Sequence, residues 1–163
     1  ERIGPFEAMA TPGHAPEHVC LILGGHICFT GDTVLGEGSV FVAPGEGAAR
    51  RSSLGAYLDS LRRLRALDLS VLCPGHGPFV HDPAARLDEY VEHRLARERA
   101  LLEALHAGAR TVEEMLEAAW GDVPDGLHGA AALTLEAHLE KLREEGRVPA
   151  DLTVGSISRG TIG

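Results

Sequence analysis

Thr11 to His18 reads TPGHAPEH, and two shorter strings follow it down the chain, TGDT at Thr30 to Thr33 and PGHG at Pro74 to Gly77. Each closes an apolar run. Side chains at strand ends stand on a rigid scaffold yet reach solvent, which is where a metal and a substrate can meet. A histidine, an aspartate and a second histidine presented in this way, His14, Asp32 and His76, form a metal-site pattern. Imidazole nitrogen suits zinc, iron or manganese, and a carboxylate is able to bridge two cations, so the set points to a catalytic hydrolytic centre more than to a structural zinc knot. The plainer reading of the same residues is loop histidines beside turn glycines and an aspartate that ends a strand. Three such endings in order favour the metal.

The chain has 163 residues, 44% of them apolar and 24% charged, which is enough for one ordinary domain or for an incomplete domain with a small appendage. A formal charge of −9 argues against a generally basic nucleic-acid-binding surface, and the local cluster Arg62, Arg63 and Arg65 reads as a solvated helix face. Cys20, Cys28 and Cys73 are odd in number, lie in apolar runs and lack CxxC spacing. They read as free thiols, which places the chain in a reducing, cytoplasmic setting. No stretch approaches the ~20 apolar residues that span a bilayer, and no basic-then-apolar leader opens the sequence. Because Glu1 is not a methionine and a ligand motif follows within fifteen residues, the natural protein is expected to extend upstream.

Periodicity places the motifs. Phe6 to Ala10 delivers the chain to Thr11, and Pro12 and Gly13 break it into a loop. The runs His18–Leu23 and His26–Thr30 around Gly24-Gly25 predict a hairpin of the two-residue kind, with Asp32 just past its second strand. Val34 to Gly47 is glycine-rich coil. Ser52 or Ser53 caps a helix with Leu54, Leu58, Leu61, Leu64 and Leu67 on one stripe, and Leu69 to Cys73 is a buried strand that ends in PGHG. Asp82 and Pro83 open a long helix marked by Leu87, Tyr90, Val91, Leu95, Leu102 and Leu105 that ends near Gly108. Thr111 with Glu114 is a capping box for a short helix, and a last helix carries Leu135, Leu139 and Leu142 before a polar, extended tail with room for a β-wing.

The ordered strings TPGHxPxH, TGDT and PGHG resemble the third, fourth and fifth metal-binding motifs of the metallo-β-lactamase superfamily, which includes glyoxalase II. The further order PGHGP, DEYVEHRLARE, TVEEMLEAAW and AAALTLEAHLEKLREEGRV resembles the branch typified by beta-lactamase-like protein two, over about Phe6 to Val148. The resemblance implies an α/β chain: the C-terminal half of an αββα sandwich in residues 1–107, a small winged-helix-like domain in residues 108–150 and a tail in residues 151–163. It also implies roles. His14 would bind a first metal, Asp32 would bridge both metals and orient the attacking water as the catalytic carboxylate, and His76 would bind the second. His18 would support the ligand loop, with an ordinary core histidine as the rival reading, while His93, by its place early on the helix after PGHG, is a candidate cleft residue that reads better as a solvated helix position.

The family's upstream HxHxDH string is absent from the chain. Half the ligands are then missing, so two zinc ions are expected only in an intact parent, with partial or no occupancy here. The implied reaction is hydrolysis of a thioester, a lactam or a phosphodiester such as RNA by a metal-activated water, with this chain inactive by itself. The rival reading is a non-catalytic binding module whose winged-helix-like part recognises a protein or a nucleic acid. An exposed apolar sheet face around HVCLILG and HICFTG predicts self-association, or retention of a missing N-terminal half.

Overall fold

Alternating burial along the early strands shows which way the sheet faces. The computed structural model of the chain describes residues 1–45 and 53–149. These residues form one five-stranded sheet in the order β1-β2-β3-β4-β5, with β1 at Arg2–Ile3, β2 at Phe6–Ala10, β3 at Val19–Leu23, β4 at Ile27–Gly31 and β5 at Val71–Pro74. β1 to β4 are antiparallel neighbours. β5 joins parallel to β4, after helix α1 (Ser53–Arg65) has carried the chain back across the sheet.

One face is closed. Cys20, Ile22, Cys28 and Leu72 point into a core with Leu54, Tyr57, Leu58, Leu61 and Leu64 of α1 and with Leu87 and Tyr90 of α2 (Pro83–Ala107). The expected leucine stripe of α1 holds except at Leu67, which lies past the helix end and is exposed. The Ser52 cap, residues 46–47 at the end of the glycine-rich segment, and the tail with its wing lie outside the described residues.

The hairpin differs from the two-residue form. Gly24 and Gly25 both take positive φ, and His26 N–H donates to Leu23 O as a tight turn requires, but the ladder pairs Leu23 with Ile27. His26 is pulled out of the ladder. Its carbonyl instead accepts from Ser70 N–H at 2.8 Å, and its Nδ1 donates to Asp68 O at 2.9 Å, so the bulge ties the hairpin to the strand that follows α1.

α2 starts where expected, with the Asp82 side chain accepting from Ala85 N–H and Pro83 in the first turn, and it ends at Gly108 in the left-handed region. Its buried stripe is not purely apolar. Leu87, Tyr90, Arg94, Glu98 and Leu101 are buried, while Val91 and Leu95 are only partly so. From Leu101 onward α2 serves a second core, shared with α3 (Val112–Trp120) and α4 (His128–Glu144), which follows a 3-10 turn at Asp125–Leu127. The predicted capping box of α3 forms in full, between Thr111 and Glu114. One long helix thus belongs to both cores, and it bolts the small helical unit to the sheet domain. A buried ion pair, Lys141 Nζ to Glu98 Oε2 at 2.6 Å, reinforces the joint, and Arg147 holds the other oxygen of Glu98. No helix among the described residues is long and apolar enough to cross a membrane.

The other face of the sheet is open. By register it carries Phe6, Ala8, Leu21, Leu23, Ile27 and Phe29, of which Phe6 and Phe29 meet edge-to-face at 5.8 Å. Val19 is 48% exposed and Phe29 40%. Apolar surface costs roughly 25 cal/mol per Å² when left in water, so a contiguous face of this kind is adhesive. The chain alone is therefore expected to self-associate in sedimentation velocity experiments, and Phe29→Glu is expected to shift it toward monomer. A monomer of 17.3 kDa at every concentration would contradict this.

Candidate metal centre

Sheet topology brings the three motifs to one edge. β4 and β5 run parallel, so the turns that leave them, carrying Asp32 and His76, leave from the same end. β2 and β3 run opposite to their neighbours in turn, so the loop between them, Thr11 to His18, lies at that end as well. A backbone bond from Gly75 N–H to Gly31 O at 2.9 Å clamps the two later turns together.

His76 Nε2 lies 3.6 Å from Asp32 Oδ1. That is too long for a hydrogen bond, but it suits two groups that face a common small target. Both are open to solvent, with side chains 77% and 44% exposed. His14 is also exposed, and its Nδ1 donates to Phe41 O at 2.9 Å. A carbonyl can only accept, so the proton sits on Nδ1 and the lone pair of the neutral ring is on Nε2, as a metal ligand requires. His14 and Asp32 both act on His18 through space, one lowering and one raising its pKa. The larger influence on His18 is burial, which pushes its pKa down.

His18 is a structural support in this arrangement. Its Nδ1 lies 3.0 Å from Thr11 Oγ1 and 2.9 Å from Thr33 Oγ1, both hydroxyls fully buried. Gly31 leaves the space above its Nε2, since a Cβ there would stand 2.8 Å from that nitrogen, and the φ of +50° at Gly31 disfavours any other residue. Thr11, Thr33 and Tyr57 are the residues that motif reading missed. Tyr57 O–H donates to Thr33 O at 2.7 Å, and Ser60 O–H donates to Pro12 O at 2.8 Å, so α1 fixes both ligand loops from below. Tyr57 carried a signal, because it sits one turn from Leu54 and Leu61 on the buried stripe of α1.

His93 is not among these groups. It lines an open hollow of about 530 Å³ with Gly38, Ser39, Arg86 and Tyr90. Burial first, then Arg94 and Arg97, lowers its pKa.

The donors fit a metal in kind, as two imidazoles and one carboxylate, and Asp32 and His76 are adjacent. Among the described residues no three or more His, Cys, Asp or Glu side chains close around one point that would hold an ion.

Two family descriptions match the chain: the metallo-beta-lactamase superfamily over residues 1–76 and the beta-lactamase associated winged helix domain over residues 111–153. A lactamase-like protein, adaB, of Aspergillus niger is 34% identical over 158 residues, covering 88% of this chain and 47% of its own length. A beta-lactamase-like protein 2 homolog of Caenorhabditis elegans is 32% identical, covering 88% and 46%. A metallo-beta-lactamase family protein of Thermus thermophilus superposes with a TM-score of 0.73 at 36% identity, covering 88% of this chain and 46% of that one. The chain thus spans about half the length of the curated relatives it matches.

The tightest constraint on the ligand loop is Gly13, where φ is +143° and a Cβ would stand 2.4 Å from Tyr57 Cβ. Gly13→Ala is expected to cost about 2 kcal/mol or more, from backbone strain and overlap with α1. Gly129→Ala, in open space on α4, should be neutral or stabilising by up to about 1 kcal/mol. Chemical denaturation of both variants checks the contrast, and equal effects would contradict it.

Proposed function

The chain belongs to the metallo-β-lactamase superfamily, and on that footing we propose that it carries part of a metal-dependent hydrolase centre, with His14, Asp32 and His76 as ligands. The observation that carries the reading is the 3.6 Å approach of His76 Nε2 to Asp32 Oδ1 at the edge where the His14 loop also arrives. A metal bound there supplies an acidified water and polarises the scissile carbonyl or phosphoryl group, which is why neither a serine nor a cysteine nucleophile is required. Zinc suits nitrogen donors joined by one carboxylate, and it is the proposed ion.

The chain's own residues do the positioning. Phe41 O fixes the tautomer of His14, Thr11 and Thr33 fix His18 beneath the ligand loop, and the parallel strands hold Asp32 against His76. Asp32 also offers a carboxylate oxygen to accept a proton from, and so orient, the attacking water. The remaining ligands are proposed to come from further polypeptide packed on the open apolar sheet face. An ester-like substrate, thioester, lactam or phosphodiester, follows from this chemistry. Recognition of RNA by base stacking finds little support in a chain with 4% aromatic residues.

Titration calorimetry of the 163-residue chain with zinc tests the proposal. The expected result is one weakly held ion per chain, lost in Asp32→Ala with the circular dichroism unchanged. Two tightly held ions with hydrolysis by this chain alone would contradict the partial ligand set. Absence of any binding would remove the metal assignment and leave the binding-module reading.

A further inference from the structure

Arg94 is a buried cation for which no carboxylate among the described residues is a partner. It is 3% exposed, on the inward stripe of α2. Its Nη2 donates to Ser39 Oγ at 3.2 Å and to Val40 O, and its guanidinium lies 5.7 Å from the centre of the Tyr57 ring. Its Nε has no hydrogen-bond partner among the described residues. Glu98, one turn further along the same stripe, is taken by Lys141 and Arg147. A guanidinium stays charged in such a place, and an uncompensated buried charge is costly unless something else supplies the counter-charge.

That nitrogen belongs to a residue lining a cavity of about 190 Å³. Val40 and Phe41 close one side of it, and Trp120 and Leu127 of the helical unit close the other. Arg97 lines it too, with its own Nε unpartnered, but the charge of Arg97 is already met by Asp122 at 2.5 and 2.9 Å. Phe41 and Leu127 are 48% and 45% exposed at the rim. The cavity is smaller than sites that enclose a whole drug-sized ligand, roughly 300–1,000 Å³, so it suits one end of a ligand. Its lining includes the Arg94 guanidinium, which no described carboxylate neutralises, and two aromatic rings, those of Phe41 and Trp120. A planar, singly charged carboxylate on an aromatic body matches that inventory. A phosphate dianion would exceed the charge available.

We propose that this cavity, between the Val40–Phe41 segment, α2 and the helical unit, binds the carboxylate end of an apolar aryl carboxylate, paired to Arg94 and bedded against Phe41, Trp120 and Leu127. Such binding requires neither a metal nor turnover, so it stands or falls apart from the hydrolase reading. The two sites are still linked, because Phe41 is part of the cavity lining and its carbonyl holds His14. An occupant of the cavity therefore presses on the segment that orients a proposed ligand.

Trp120 is the chain's one tryptophan, so its fluorescence reports from the cavity wall. The probe is biphenyl-4-carboxylate, compared with the uncharged biphenyl-4-carboxamide, by tryptophan quenching and by calorimetry on the full chain. The carboxylate is expected to bind saturably and about tenfold more tightly than the amide. Arg94→Met should erase that preference. Leu127→Glu, a rim substitution away from either core, should weaken both ligands through lost apolar contact and the carboxylate further through repulsion, narrowing the preference, and it keeps the test open if Arg94→Met fails to fold. Absence of a saturable response, equal affinities, or an unchanged preference in Leu127→Glu would overturn the proposal. Displacement by inorganic phosphate at equal concentration would reveal a general anion site and overturn the aryl carboxylate assignment.

Discussion

The parallel pairing of β4 with β5 is the constraint on which the rest of the molecule depends. Parallel strands cannot be joined by a tight turn, so the chain must leave β4, cross behind the sheet through α1 and return alongside. That crossover does two things. It covers the inner face with the leucines and Tyr57 of α1, and it forces Asp32 and His76 to emerge side by side. Everything proposed for the site follows from that shared strand end.

Stability and positioning are carried by the same side chains. Tyr57 fills the core and its hydroxyl holds the Thr33 carbonyl, while Thr33 reaches His18 beneath the His14 loop. Buried hydroxyls are tolerated in such a place because each one is paired. The helical unit is joined through α2, whose inward stripe passes from Leu87 and Tyr90 to Leu101 by way of Arg94 and Glu98. Glu98 is neutralised by Lys141 and Arg147 and fastens α4. Arg94 is bonded to the Ser39–Val40 segment and faces the seam between the two cores. His138 lies in the same joint, edge-on to Trp120 at 5.3 Å, and burial lowers its pKa to about 4.

Much of this was legible in the sequence, because local chemistry announced it. Asp82-Pro83 and Thr111 with Glu114 mark helix starts that depend only on neighbours along the chain, and TPGH, TGD and PGHG mark strand ends by their glycines. What escaped depends on partners far away in sequence. The bulge at His26 exists because Ser70 N–H requires an acceptor, and nothing near Gly24-Gly25 reveals that. The stripe of α2 read as Leu87, Tyr90, Val91 and Leu95, whereas the buried positions include Arg94 and Glu98, charges that a periodicity argument assigns to solvent. Thr11 and Thr33 looked like punctuation within motifs. Only the convergence of the two loops makes them the pair that grips His18.

The central proposal is that three turns, distant in sequence, reach one end of the sheet and bind metal there. Paramagnetic line broadening by Mn²⁺ in the amide nitrogen–proton spectrum of the chain tests it most directly, since broadening falls steeply with distance and needs no turnover. The account predicts that, at substoichiometric Mn²⁺, the signals around His14, Asp32 and His76 broaden together, while those around His93, His106 and His128 do not. Broadening spread over the acidic helices, or confined to one of the three turns, would contradict it.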